Sequence, residues 1–68
     1  MGEVRLIIRV KGHMSTATVR LAELGIAVLR SFRLIQAVSV RCSPKQALAL
    51  LSEPWVQTIE EDRQVSVQ

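Results

Sequence analysis

Read in order, the elements this chain predicts are strand, helix, strand, then strand, helix, strand, which makes an α+β domain of two similar halves. Three observations carry that expectation. Val4, Leu6, Ile8 and Val10 alternate with Arg5, Ile7, Arg9 and Lys11, the two-residue period of a strand buried on one face. Ser43-Pro44-Lys45-Gln46 has the marks of a helix start, with Ser at the cap, Pro at the first helical position and Gln at the third. Two helices with apolar stripes must also bury those stripes, and one shared sheet face is the economical way to do so.

The remaining elements follow from the same rules. Gly12-His13 ends the opening strand, and Ser15 or Thr16 is the expected cap of a helix whose Met14, Ala17, Leu21 and Leu24 form one stripe. Val19 falls off that stripe. Gly25 is the expected left-handed residue after the helix. Ile26 to Arg33 is apolar and rich in β-branched residues, a second strand with poorly separated faces. Leu34-Ile35-Gln36 is a poor turn by composition, lacking Gly, Asn, Asp and Pro. Residues 36–42 make a third strand, with Val38, Val40 and Cys42 on one face and Ala37, Ser39 and Arg41 on the other. In the second helix Ala47, Leu48 and Leu51 are the expected buried stripe, and Glu53-Pro54 stops it. A fourth strand runs from about Trp55 to Asp62, with Ile59 inward and Thr58, Glu60 and Asp62 outward. The architecture is ferredoxin-like, a split βαβ (βαββαβ): a four-stranded antiparallel sheet with two helices on one face and the other face bare. It is expected as a single domain over 1–68, with 62–68 an extended C-terminal tail.

Size and composition narrow the function. Sixty-eight residues, 49% of them hydrophobic, have room for one small core and argue against disorder. Phe32 and Trp55 are the only aromatic residues. Cys42 is the only cysteine, so no internal disulfide or cysteine zinc site can staple the core. No apolar run is long enough to span a membrane, and no signal peptide opens the chain. The net charge is +3 with spread basic residues, a field that favours an acidic partner without naming it. No nucleophile has a general base set beside it and there is no phosphate-cradling Gly-rich loop, so the chain reads as the ligand of an enzyme and not as an enzyme. No cofactor and no metal is expected: His13 and Cys42 lack partners at metal-ligand spacing. His13 reads as a solvated loop residue, with a pH-sensing role left open, and Cys42 as a small buried hydrophobe.

The C-terminal end offers two features to a partner. Glu60 and Asp62 share parity, so on a strand they point to one face. Paired carboxylates there suit the free N–H groups and positive dipole of helix N-termini. After them Arg63-Gln64-Val65-Ser66-Val67-Gln68 has no Pro or Gly and alternates apolar with polar, fit to lie along another protein's strand edge.

From Gln36 onward the chain resembles the inhibitory propeptides of subtilisin-like serine proteases. The strand Ala37-Val38-Ser39-Val40, the helix opener Ser43-Pro44-Lys45-Gln46, Leu48 with Leu51, Glu53-Pro54-Trp55-Val56, Ile59, Glu60-Glu61-Asp62 and a six-residue tail occur in that order. The first half fits more loosely. The resemblance implies an inhibitor, and an intramolecular chaperone, of a subtilisin-like protease, acting in cis as a propeptide or in trans as a stand-alone inhibitor. It implies that the bare sheet face packs across two protease helices, with Glu60 and Asp62 at their N-termini and the small Ala37 and Ser39 allowing close approach. The tail would enter the active-site cleft as a product: Gln68 in the primary specificity pocket, Val65 in the apolar fourth pocket, Ser66 and Val67 between. Extracellular location is implied if the chain belongs to a secreted protease precursor. Two departures leave the cognate enzyme open: no glycine precedes the third strand, and Gln68 is not the bulky apolar end many such proteases prefer.

From charge alone, Arg9, Arg33 and Arg41 on the open face point to acidic patches on the partner. A ferredoxin-like RNA-binding module is the alternative from another class, with Arg5, Arg9, Arg33 and Arg41 lining the sheet. Such platforms stack bases on aromatic side chains, and neither the first nor the third strand carries one. The expected partners are therefore a protease, no nucleic acid and no membrane, with the free chain a monomer.

Overall fold

A computed structural model describes residues 2–62. The elements are β1 (Val4–Val10), α1 (Met14–Glu23), β2 (Ala27–Phe32), β3 (Ala37–Cys42), α2 (Pro44–Leu50) and β4 (Val56–Glu61). The four strands form one sheet of order β2-β3-β1-β4, and every neighbouring pair is antiparallel. This is the ferredoxin-like βαββαβ arrangement. The alternation in β1 drives it: Leu6, Ile8 and Val10 are buried on one face, and Ile8 pairs with Val38 of β3 and Ile59 of β4. Ala17 and Leu21 of α1 and Leu50 of α2 join the same cluster as Leu6, Ile8, Val10, Val38, Val40 and Cys42, so both helices cover one face of the sheet.

The helix ends differ from expectation at one point. α1 begins at Met14 with His13 as its cap, and no side chain caps it. Thr18 donates to the Ser15 carbonyl (3.0 Å) inside the helix. The earlier start lays Met14 against the core. The other end matches expectation. Gly25 has φ +74°, its N–H bonds the Ala22 carbonyl and that of Ile26 bonds the Leu21 carbonyl, each at 3.0 Å. This pattern is a Schellman motif, and Ile26 and Leu21 supply its hydrophobic contact.

In α2 the capping box forms: Gln46 N–H donates to Ser43 Oγ (3.2 Å) and Ser43 N–H to Gln46 Oε1 (2.9 Å). Gln46 Nε2 also donates to the carbonyls of Leu24 (3.2 Å) and Gly25 (3.3 Å). One side chain thus closes the start of α2 and the end of α1. The buried stripe is not the expected one. Leu50 is fully buried, whereas Leu48 and Leu51 are each 68% exposed. With Gln46 held inward by its bonds to α1, the helix is rotated so that Gln46, Ala47 and Leu50 face the core. Leu48 and Leu51 border an apolar groove with Val4, Leu6, Pro44, Ala47 and Ile59.

Two side-chain clusters close the domain. Arg20 Nε donates to Glu53 Oε1 (2.8 Å) and its Nη2 to Oε2 (3.3 Å), while Trp55 Nε1 donates to Oε1 (2.8 Å). The Arg20 guanidinium, then the Trp55 indole, hold the Glu53 carboxyl below its ordinary range. The turn between β2 and β3 puts Gln36 at φ +47°, where the expected glycine is missing. Its Nε2 donates to the Gly12 carbonyl (2.7 Å), a bond that glycine could not make.

Two outcomes test this packing. Leu50→Ala should cost about 2–5 kcal/mol, enough to unfold a domain this small, while Leu48→Ala stays within about 0.5 kcal/mol. Urea titration followed by Trp55 fluorescence separates them. Because the folded Glu53 carboxyl titrates below its unfolded value, its contribution is complete above about pH 4.3 and is lost as pH falls through the lowered folded value. Glu53→Gln should therefore flatten the acid limb of the stability–pH curve, measured by thermal melts at successive pH values.

Candidate docking face

The face of the sheet opposite the helices is where the sequence-predicted residues meet. Directly paired residues of antiparallel strands point to the same side, so the register lays this face out in rows. Phe32, Ala37, Arg9 and Thr58 cross it in one row, and Arg30, Ser39, Ile7 and Glu60 in the next. Ala27, Arg41 and Arg5 begin the third, which Asp62 completes through its N–H to the Arg5 carbonyl (2.9 Å).

The middle of the face is low. Ala37 is fully buried and Ser39 is 5% exposed, because their short side chains lie between longer ones on β2 and β1. Arg5, Ile7, Leu29, Arg30, Phe32, Ser39 and Asp62 line a groove of about 460 Å³ there. Ala37 is not among the lining residues and offers no surface of its own. Leu29 enters the groove through a register shift: Val28 pairs with Val40 and Arg30 with Ser39, leaving Leu29 as the extra residue. That shift is why the two faces of β2 could not be separated by counting in twos. It hid Leu29, Arg30 and Phe32 as residues of this face. The signal was present, since Arg30 and Phe32 share parity with each other and oppose the small Ser39 and Ala37.

Charge is divided across the face. Arg5, Arg9, Arg30 and Arg41 stand on β1, β2 and β3, and Glu60 and Asp62 on the β4 side. Arg41 is paired with Glu3 (3.1 Å). Arg33, expected here, belongs to the turn after β2. Glu60 is exposed and Asp62 half-buried; the two share one face, as their parity requires, and the strand order places them at its β4 edge. The tail residues Val65, Ser66, Val67 and Gln68 lie outside the described residues.

The other chemistry-bearing groups sit elsewhere. Cys42 is buried on the core face, and burial, with the Glu3 charge second, pushes its thiol up, which keeps it a neutral packing group. Among the described residues no group of three or more His, Cys, Asp or Glu could hold a metal, and no helix is long and apolar enough to cross a membrane.

Since Glu60 and Asp62 make no side-chain ion pair among the described residues, the double substitution Glu60→Ala, Asp62→Ala should leave stability within about 0.5 kcal/mol. Chemical denaturation of the two forms side by side checks this.

Comparison with known proteins leaves the chain to its own geometry: no protein-family model matches it, and no curated protein matches its sequence.

Proposed function

We propose that the chain is an inhibitor of a subtilisin-like serine protease and a chaperone for its folding, acting in cis as a propeptide or in trans as a stand-alone inhibitor. The observation that carries this reading is a bare sheet face with a small-residue floor. Its β4 side carries the carboxylates Glu60 and Asp62, and residues 63–68 follow them in sequence. The short side chains of Ala37 and Ser39 raise nothing above the sheet, which admits helices of the enzyme close to it. Glu60 and Asp62 then accept hydrogen bonds from the free N–H groups of helix N-termini, where the dipole favours negative charge.

The tail supplies the inhibition. Val65 to Gln68 add to the cleft as an extended strand whose main-chain hydrogen bonds give affinity and whose side chains are chosen by pockets. Four residues alone would leave quickly. Docking of the folded sheet keeps them at high local concentration, so two weak contacts act as one tight one. A partner that binds the native-like enzyme surface also stabilises that surface during folding, the basis of the chaperone activity.

Steady-state inhibition of a broad-specificity subtilisin by the whole chain, beside a form lacking residues 65–68, tests the reading. Competitive inhibition that vanishes with the tail is the expected result. Glu60→Ala with Asp62→Ala should weaken it by about 1–3 kcal/mol, through charge-assisted bonds lost at the helix ends. Inhibition that survives both changes would sink the assigned roles of these residues.

A further inference from the structure

Leu34, in the turn between β2 and β3, is fully exposed (102%), and Ile35 beside it is 49% exposed. One exposed apolar residue is ordinary, but an adjacent pair at the tip of a turn is surface that a partner can bury. The turn is also held in place. Gln36 has φ +47°, a costly conformation outside glycine. Its carbonyl accepts from Val10 N–H (2.8 Å) and its Nε2 donates to the Gly12 carbonyl (2.7 Å). The turn is thus clamped to the loop between β1 and α1, with Leu34 standing clear of the domain. Charge is sorted along the strands. β1 and β2 both end here, which puts Lys11 and Arg33 at the same end as the apolar pair, with Arg9 one row behind. None of the three makes an ion pair among the described residues. Glu53 is the one carboxylate at this end among the described residues, and Arg20 and Trp55 hold it. Glu3, Glu23, Glu60, Glu61 and Asp62 stand at the opposite end.

We propose that this tip docks on an anionic lipid surface: Leu34 and Ile35 enter the boundary between headgroups and acyl chains, and Lys11, Arg33 and Arg9 meet the headgroup anions. The proposal is independent of the inhibitor reading. Among the described residues no helix is long and apolar enough to cross a membrane, so the contact is with one surface. A short apolar anchor or a few cations hold a membrane weakly alone, and the two together hold it well. The attraction of an anionic leaflet for cations fades within a Debye length, about 8 Å at physiological salt. From Lys11 back to Arg5 is about 20 Å at the rise of a strand. The leaflet therefore acts on the basic tip and scarcely on the acidic far end, so charge sets which end comes down. Two projecting aliphatic side chains bury far less than the roughly 800 Å² per partner of a stable protein complex, whereas a fluid lipid surface closes around them. They also give a nucleic acid nothing to stack on.

Co-sedimentation of the whole chain with vesicles of phosphatidylcholine, alone or with about 30% phosphatidylserine, tests this. Binding to the vesicles with phosphatidylserine should be at least about tenfold tighter and should fall as salt rises. Leu34→Ser should weaken it at least about threefold with an unchanged Trp55 melting curve, and Leu48→Ala should leave it unchanged. Lys11→Gln with Arg33→Gln should weaken it at least about tenfold. Arg5→Gln with Lys45→Gln removes the same charge at the other end and should weaken it less than about threefold. Equal affinity for the two kinds of vesicle, or binding to neither, would overturn the proposal. So would equal losses from the two charge pairs, the mark of a diffuse attraction for a basic chain. A Leu34→Ser variant that binds as tightly as the parent chain would overturn it as well.

Discussion

The rest of the structure hangs on β1 having only one apolar face. Leu6, Ile8 and Val10 point one way, and both neighbouring strands come from later in the chain, so their registers are set against that single row. A slip of one residue would turn Ile8 into solvent and bring Arg9 into the core. Both helices must then gather where Ile8 points, and no helix remains to cover Ile7, Ser39 and Phe32. The bare face is thus the direct consequence of burying the other one.

A domain with a single cysteine, and so no internal disulfide, must hold its helices by other means. Gln46 does much of this. Its amide oxygen closes the first turn of α2 while its amide nitrogen satisfies the last carbonyls of α1, so two helix ends that would each need solvent are paired with each other. Arg20, Glu53 and Trp55 do the corresponding work at the far side, joining α1 to the loop before β4. These polar ties leave the open face untouched, and its geometry is carried by the strands alone.

The element order, the left-handed Gly25 after α1, the capping box of α2 and the sharing of one strand face by Glu60 and Asp62 were all legible in the sequence, because each rests on residues a few positions apart. What was not legible depends on distant neighbours. In the expected stripe of α2 Ala47 does pack on the core, but Leu48 and Leu51 were taken in place of Leu50, because seven residues span under two turns and a polar residue, Gln46, takes an inward position. Its reason for facing inward is the end of α1, over twenty residues away. The groove wall on β2 was hidden by the extra residue Leu29, which two-residue counting cannot reveal. The turn without glycine closes because Gln36 adopts the left-handed conformation and anchors on the Gly12 carbonyl, again a partner far along the chain.

On the proposed reading, the bare sheet face is what meets a protease. Methyl-group NMR of the isotope-labelled chain, with and without a broad-specificity subtilisin whose catalytic serine is replaced, tests it most directly. Ile7 and Leu29 on the open face should shift on binding, while Leu48 and Leu51 on the helix side stay where they are. Shifts confined to Leu48 and Leu51, with Ile7 and Leu29 unmoved, would contradict the account.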